Sequence, residues 1–299
     1  MQASTIEANG ITLHYESFGR EDAEVFLLIA GLGTQMIRWP GSFCQALAAK
    51  GYRVIRFDNR DSGLSTHFNA SPAPDFRAIA AALGQGRQPE VPYTLHDMVA
   101  DTIGLLDALF IPRAHLIGRS MGGMIAQLIA ADHPHRVFSL VSIMASTGNP
   151  DLPPAEPDVM AMLLQRASSP TEDEDGFLTH RLAFARRISS PGYPFNDEEK
   201  RESIREETRR AYNPSGFARQ LAAIAATGDN RARLAKITAP TLVIHGAADP
   251  LIPPAAGEDT AAAIPGAELM IVPGMGHDLP TALHEMIMDA IVANARRTA

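Results

Sequence analysis

The chain has 299 residues, of which 45% are hydrophobic and 20% are charged, and these values are typical of one large globular domain or of a domain with an insertion. Its formal net charge of −8 argues against nucleic acid or an anionic membrane surface as the main partner. Cys44 is the only cysteine, so an intrachain disulfide is excluded, and its neighbours Phe43 and Leu47 indicate a buried, unreactive thiol.

The beginning of the chain shows no basic region followed by an apolar stretch, so no signal peptide is predicted. No apolar run approaches the roughly 20 residues that are needed to cross a bilayer. We therefore expect a cytoplasmic protein without a membrane partner.

The first half of the chain predicts strands that alternate with helices. Asn9-Gly10 separates two short segments of strand character, which is a strong signal for a β-hairpin. The run 25–30 is continuously apolar, as expected of a strand buried on both faces. Further strands are predicted at 53–57 and 113–117, and helices at 43–50, 95–109 and 123–131.

Gly118-Arg119-Ser120-Met121-Gly122 is a G-x-S-x-G motif between a predicted strand and a predicted buried helix. A serine at such a sharp strand-to-helix turn has its hydroxyl exposed, and its small neighbours permit the turn and close packing of helix on strand. Ser120 is therefore the candidate nucleophile. The backbone N–H of Met121 lies at the helix start, where it can stabilise negative charge near Ser120, and it is a candidate oxyanion donor.

The alternation stops between about 147 and 236, where no strand is predicted and prolines are frequent at the entrance. We interpret 147–236 as a helical insertion that caps the sheet edge, on a core formed by 1–146 and 237–299. Its clearest helix spans Asp197–Arg210, with acids early and bases late. Two i,i+4 pairs, Asp197/Arg201 and Glu206/Arg210, favour a solvent-exposed helix.

Strands are also predicted at 137–143, 241–245 and 268–272, and a helix at 283–294 closes the chain. Strands that alternate with helices predict a mainly parallel sheet with helices on both faces, an α/β fold.

An acid and a histidine follow the two late strands. Asp249 lies in the loop after 241–245, and His277 lies in the loop after 268–272. Because the carboxyl ends of parallel strands meet at one edge, we expect both to lie near Ser120. This predicts Ser120 as nucleophile, His277 as base and Asp249 as the acid that orients it. Asp278 is a competing acid, but a side chain adjacent to His277 is poorly placed to reach its ring.

A second oxyanion donor is predicted in the glycine-rich turn after the first buried strand, where the Leu32 N–H is the candidate. Candidate residues of the substrate pocket are Gly31, Trp39, Met144 and Met275. His133-Pro134-His135 lacks the further ligands of a metal site, and no phosphate-binding loop is present. We expect neither a metal nor another cofactor.

Several segments resemble the α/β-hydrolase superfamily over nearly the whole chain. Besides the serine motif, Asp58-Asn59-Arg60-Asp61-Ser62-Gly63-Leu64-Ser65 is similar to the family's D-x-R-G-x-G-x-S segment, and 93–101 resembles its helix before the nucleophile. The Trp39-Pro40 pair and 273–280 resemble bacterial esterases of the aclacinomycin methylesterase type. The chain departs from the family pattern at Ala30, where histidine is usual, and at Asp61, where glycine is usual.

The resemblance implies the same triad, Ser120, Asp249 and His277, with Leu32 and Met121 as oxyanion donors. Together with the residues above, it predicts a serine carboxylic-ester hydrolase that acts through an acyl-enzyme on small to medium, partly apolar esters. The same triad can hydrolyse C–C bonds, open lactones, or transfer acyl groups to other acceptors, including peroxide. From another class, the chain could be a small-molecule receptor on a hydrolase scaffold. The sequence leaves the natural substrate and the oligomeric state open.

Overall fold

In a computed structural model, which describes residues 2–165 and 167–298, eight strands form one sheet in the order β1-β2-β4-β3-β5-β6-β7-β8. The strands are β1 (Gln2–Ala8), β2 (Ile11–Phe18), β3 (Val25–Ile29), β4 (Arg53–Phe57), β5 (Ala114–Arg119), β6 (Val137–Ile143), β7 (Thr241–Gly246) and β8 (Glu268–Val272). β1 and β2 pair antiparallel, β2 is antiparallel to β4, and the remaining neighbours are parallel.

Helices follow most strands. They are α1 (Gly41–Ala49), α2 (Phe76–Gly84), α3 (Leu95–Ala108), α4 (Met121–Asp132), α5 (Pro157–Leu164), α6 (Glu174–Arg187), α7 (Asp197–Arg210), α8 (Pro214–Thr227), α9 (Arg231–Leu234), α10 (Ala255–Ala263) and α11 (His284–Ala295). Among these described helices, none is both long and apolar enough to pass through a membrane.

The predicted hairpin is confirmed, because Ala8 lies opposite Ile11 and Asn9-Gly10 forms the turn. The continuously apolar run is β3, which is buried along its whole length. Side chains on alternate positions of a strand point to opposite faces. Accordingly, Leu27 packs into a core cluster with residues of α3 and α4, whereas Leu28 packs into a second cluster with residues of α1 and α11. The sheet is therefore covered on both faces, which confirms the α/β prediction.

The segment between β6 and β7 contains helices α5 to α9 and, within its described residues, no strand. Two core helices, α2 and α10, were not predicted from the sequence. The start of α2 is set by Asp75, whose carboxylate accepts hydrogen bonds from the backbone N–H groups of Arg77 and Ala78.

Candidate active site

Ser120 lies at the turn between β5 and α4 with φ 55° and ψ −124°, a strained conformation for a residue other than glycine. Close packing maintains this turn. A Cβ atom added to Gly118 would lie 2.1 Å from the carbonyl oxygen of Gly122, and one added to Gly122 would lie 2.2 Å from that of Ile29. Only glycine fits at both positions, so the helix approaches the strands closely and Ser120 is held at the carboxyl end of β5.

Three polar side chains from three strand ends form one hydrogen-bonded chain. The His277 Nδ1 atom lies 2.7 Å from the Oδ2 atom of Asp249, and the His277 Nε2 atom lies 3.0 Å from the Oγ atom of Ser120. An ionised carboxylate can only accept, so Nδ1–H donates to Asp249 and the neutral ring leaves Nε2 to accept from the Ser120 hydroxyl. His277 is 8% exposed and Asp249 is 4% exposed, so the hydrogen bond between them is shielded from bulk water.

Asp249 is fixed by its own loop. Its Oδ1 atom accepts hydrogen bonds of 2.9 Å from the backbone N–H groups of Leu251 and Ile252. The Nε2–H of His245 donates to the Ile252 carbonyl oxygen at 2.8 Å. Burial lowers the pKa of His245, so that this ring is held neutral beside Asp249 rather than competing for its charge. The remaining oxygen of Asp249 is thereby directed at His277.

The loop that carries His277 is held by the segment after α6. The N–H of His277 donates to the Ile188 carbonyl oxygen at 2.8 Å, and the N–H of Gly276 donates to the Ser190 hydroxyl at 2.9 Å. The Ser190 N–H in turn donates to Asp278 at 2.9 Å. Asp278 therefore faces Ser190, while Asp249 accepts the hydrogen bond from the His277 ring.

Two backbone donors lie next to Ser120 without an acceptor among residues 2–165 and 167–298. They are the N–H groups of Leu32 and Met121. Met121 is in the first turn of α4, where a helix supplies no acceptor, and a Cβ on Gly31 would lie 3.3 Å from that of Ser120. By contrast, the N–H of Gly33 already donates to the Gln220 side chain at 2.7 Å.

A cavity of about 1320 Å³ opens above Ser120 and is lined both by the sheet edge and by helices α5 to α8. Of the predicted pocket residues, Gly31 lines it. Trp39, Met144 and Met275 do not line it and are at most 1% exposed in the second core cluster. This corrects the pocket prediction, because side chains enclosed by other core residues have no surface left for a ligand. Apolar side chains from the insertion, including Phe177 and Phe184, take that place.

The structure also corrects the interpretation of Asp197–Arg210 as a solvent-exposed helix. Lys200, Ile204 and Glu207 share one face of α7 and line the cavity. Neither of the two expected i,i+4 pairs is formed within the described residues. Instead Arg210 pairs with Asp58 of the core at 2.7 Å, and Asp197 pairs with Arg186 of α6.

Five cations line the cavity, and none of them was predicted from the sequence as a site residue: Arg38, Arg119, Arg181, Lys200 and Arg219. Arg38 forms a two-pronged pair with Glu207, with nitrogen–oxygen distances of 2.6 and 2.7 Å. The Arg119 guanidinium lies 5.8 Å from the centre of the Trp39 ring, a cation–π distance. Arg119 directly precedes Ser120 in the sequence, and this position was the one feature from which its place in the site could have been predicted.

Asp61, where the chain departs from the usual glycine, connects the core to α8. It keeps the left-handed φ of 65° that favours glycine, and it is 3% exposed. Both of its oxygens accept from Arg219 at 2.7 Å, and the Tyr93 hydroxyl donates to it at 2.7 Å. Burial alone would raise the pKa of Asp61, but these bonds and the Phe68 N–H hold it below its usual range.

Two further features of the described residues limit the chemistry. No group of three His, Cys, Asp or Glu side chains is placed to hold a metal ion within 2–165 and 167–298. Cys44 is fully buried, and burial raises the pKa of its thiol to about 12, so the reactive thiolate does not form near neutral pH.

Known proteins share the fold of this chain. Residues 24–280 match the family described as alpha/beta hydrolase fold. The chain is 32% identical to rhodomycin D methylesterase DauP of a Streptomyces species (strain C5), with 99% of each chain covered. It superposes on an enol-lactonase from Burkholderia xenovorans with a TM-score of 0.74 and 25% identity, covering 98% of this chain and 100% of that one. For a meta-cleavage product hydrolase from Pseudomonas fluorescens the TM-score is 0.78 at 19% identity, covering 99% and 98%.

Proposed function

The chain belongs to the alpha/beta hydrolase family, and from that premise we propose that it is a serine carboxylic-ester hydrolase that works through an acyl-enzyme. The observation that carries the proposal is the unbroken hydrogen-bonded chain from Ser120 through His277 to Asp249 at the floor of a cavity. The similarity to a methylesterase over 99% of both chains supports an ester as the bond that is cleaved.

In the first half of the reaction, Ser120 attacks the ester carbonyl while His277 Nε2 takes the hydroxyl proton. Asp249 stabilises the imidazolium that forms, and its second oxygen is already occupied by two backbone N–H groups, so it does not need to move. The C–O bond of the tetrahedral intermediate then breaks, and the alcohol leaves with the proton from His277.

Negative charge on the carbonyl oxygen is stabilised by the N–H groups of Leu32 and Met121. Each is without an acceptor among the described residues, and fixed donors of this kind stabilise charge without reorganisation. The replacement of the usual histidine by Ala30 removes a side chain there but leaves the backbone donors in place. Water activated by His277 then hydrolyses the acyl-enzyme by the reverse sequence of proton transfers.

The insertion 147–236 acts as a cap in this proposal. Its residues supply most of the cavity wall, and its segment at Ile188–Ser190 also holds the His277 loop. Cap and catalytic loop are thus coupled through backbone hydrogen bonds. The small-molecule substrate enters between the cap and the carboxyl ends of the strands.

Opening of a lactone is a second candidate activity, since a lactone is a cyclic ester and requires the same attack by Ser120. It is favoured by the similarity to the enol-lactonase structure at 25% identity. In that case the alcohol stays attached to the acyl group after cleavage, so the product carries both a hydroxyl and a carboxylate.

Turnover of p-nitrophenyl esters from acetate to dodecanoate tests the proposal, with the wild-type protein beside Ser120→Ala. We expect turnover that depends on Ser120, and the chain-length profile then gives the size of the acyl pocket. Turnover that survives the substitution would overturn the assignment of the nucleophile. Binding of esters without turnover would favour a receptor.

A further inference from the structure

Three cations of the cavity wall have no counterion within hydrogen-bonding or ion-pair distance among the described residues 2–165 and 167–298. We call them the cationic wall: Arg119 at the end of β5, Arg181 on α6 and Lys200 on α7. All three are partly buried, so water does not surround them as it would a surface cation. Three different elements contribute them to the lining of the cavity that also contains Ser120.

Two carboxylates lie close enough to attract these cations, Glu207 and Asp278, and both already accept hydrogen bonds from other groups. Glu207 is taken up by the two-pronged pair with Arg38, and Asp278 accepts from the N–H and hydroxyl of Ser190. One full negative charge thus remains nearest to the cationic wall, against three positive charges. A partly buried cation that lacks a partner is costly, and the usual remedies are a counterion or a lowered pKa.

The pKa values of all three cations are lowered, as expected for partly buried cations without a counterion. Burial, with the nearby charges of Arg38 and Arg119, lowers the pKa of Lys200 to about 7. Burial, followed by Arg38, lowers the pKa of Arg119 to about 10, and burial also lowers that of Arg181. In each case the repulsion and desolvation outweigh the attraction of Asp278 or Glu207. The cavity wall is therefore electrostatically unsatisfied at these cations.

We propose that the cationic wall binds a carboxylate carried by the substrate itself, so that the preferred substrates are half-esters of dicarboxylic acids or esters of comparable charge. This inference deepens the proposed esterase function and rests on it. A carboxylate fits this wall because guanidinium groups bind it with two parallel hydrogen bonds and an ammonium adds a compact charge. One such anion would halve the excess of positive charge.

The geometry also sets where the carboxylate lies relative to the ester. Arg119 directly precedes Ser120 and its guanidinium lies over the Trp39 ring, so this end of the wall belongs to the strand edge that carries the nucleophile. Arg181 and Lys200 come from the insertion, across the cavity opening. Apolar side chains such as Phe177 and Phe184 line the same cavity. A short methylene chain between ester and carboxylate would bridge these two regions.

The test compares monomethyl esters of the dicarboxylic acids from butanedioate to decanedioate with methyl alkanoates of the same chain length. We expect a higher kcat/KM for a half-ester than for its neutral partner at one or two adjacent lengths. In Lys200→Met and in Arg181→Met the ratio of the two kcat/KM values should fall about tenfold or more, the usual cost of one charged hydrogen-bond partner. Lys236→Met removes the same charge from the exposed surface and should leave the ratio unchanged.

A binding experiment separates this proposal from the esterase proposal. Calorimetry on Ser120→Ala should show tighter binding of the preferred half-ester than of the methyl alkanoate, and addition of Lys200→Met should remove the difference. No half-ester preferred at any length, or a preference unchanged in both wall variants, would overturn the anion site even if neutral esters are hydrolysed. Absence of all serine-dependent turnover with selective half-ester binding would instead overturn the esterase function. Thermal unfolding shows whether each variant is folded. Because the two substitutions lie on different helices, the test remains possible if one of the variants does not fold.

Discussion

The floor and the wall of the same cavity differ in how their charges are compensated. At the floor, Asp249, His277 and Ser120 form one chain in which every charged oxygen has a donor. On the wall, Arg181 and Lys200 face the same space with no counterion among the described residues. The charges of the floor are thus compensated before a ligand binds, whereas those of the wall are not.

The floor and the wall meet two different requirements, bond cleavage and selection of the substrate. Bond cleavage needs groups that are preorganised before the substrate arrives, since reorganisation during the reaction raises the barrier. Selection of a substrate needs groups whose interactions are completed only by the correct ligand. We therefore expect changes at the floor to abolish turnover of all esters, and changes on the wall to alter which ester is preferred.

The largest effect is expected for Ser120→Ala, because no other group near the carbonyl replaces the nucleophile. The value of kcat should fall by about 10⁶, as when the serine of another triad is removed. The measurement is steady-state hydrolysis of p-nitrophenyl butyrate. Near-normal circular dichroism would show that the loss is chemical, and kcat within tenfold of wild type would refute the floor assignment.

Asp249→Asn is expected to lower kcat by about 10⁴. The amide oxygen would take the two backbone donors of Leu251 and Ile252, which turns the amide NH₂ towards His277 Nδ1. The ring would then carry its proton on Nε2 and could not accept one from Ser120. Asp278→Asn is the matched control, since Asp278 faces Ser190. A larger loss in Asp278→Asn would mean that the roles of the two acids are reversed.

Arg219→Met tests what happens when a paired cation of the cap is removed. It leaves Asp61 as a buried carboxylate without its counterion, which should lower the free energy of unfolding by about 3–5 kcal/mol. Asp61→Gly in the same protein removes the orphaned charge and the strained φ of 65°, so most of the loss should be recovered. Urea denaturation of the two single variants and the double variant measures this coupling. Additive losses would show that the two side chains do not interact.

The smallest effect, of opposite sign, is expected for Lys200→Met. Burial, followed by the charges of Arg38 and Arg119, lowers the pKa of Lys200 in the folded protein to about 7, against 10.5 when unfolded, although Asp278 and Glu207 act to raise it. The unfolded state therefore holds more protons between these values, and wild-type stability should rise with pH there. Below pH 7 the variant should be more stable by on the order of 1 kcal/mol. A less stable variant at pH 6 would mean that Lys200 has a counterion in the unliganded protein.

Much of the floor could be predicted because its signals are local. The glycines around Ser120 and the position of Asp249 and His277 after late strands are properties of short segments, and parallel strands bring such segments to one edge. For the same reason, the hairpin at Asn9-Gly10 and the continuously apolar β3 were predicted correctly.

The wall could not be predicted in this way, because it depends on contacts between distant segments. Lys200 lies in a helix whose composition is that of a solvated surface, and only the packing of α7 over the sheet edge turns one of its faces into the cavity. Trp39, Met144 and Met275 show the converse, since their composition suits a pocket but the packing encloses them in the core.

The sequence by itself therefore determined the fold class and the three residues that we assign to catalysis, since strand periodicity and tight turns depend on neighbouring residues. Only the tertiary structure decided which face of α7 is buried, and that Asp61 meets Arg219. It also decided that Arg181 and Lys200 line one cavity without a counterion among the described residues. The physical reason is that burial and Coulomb interaction depend on distance in space, which the order of residues along the chain does not fix.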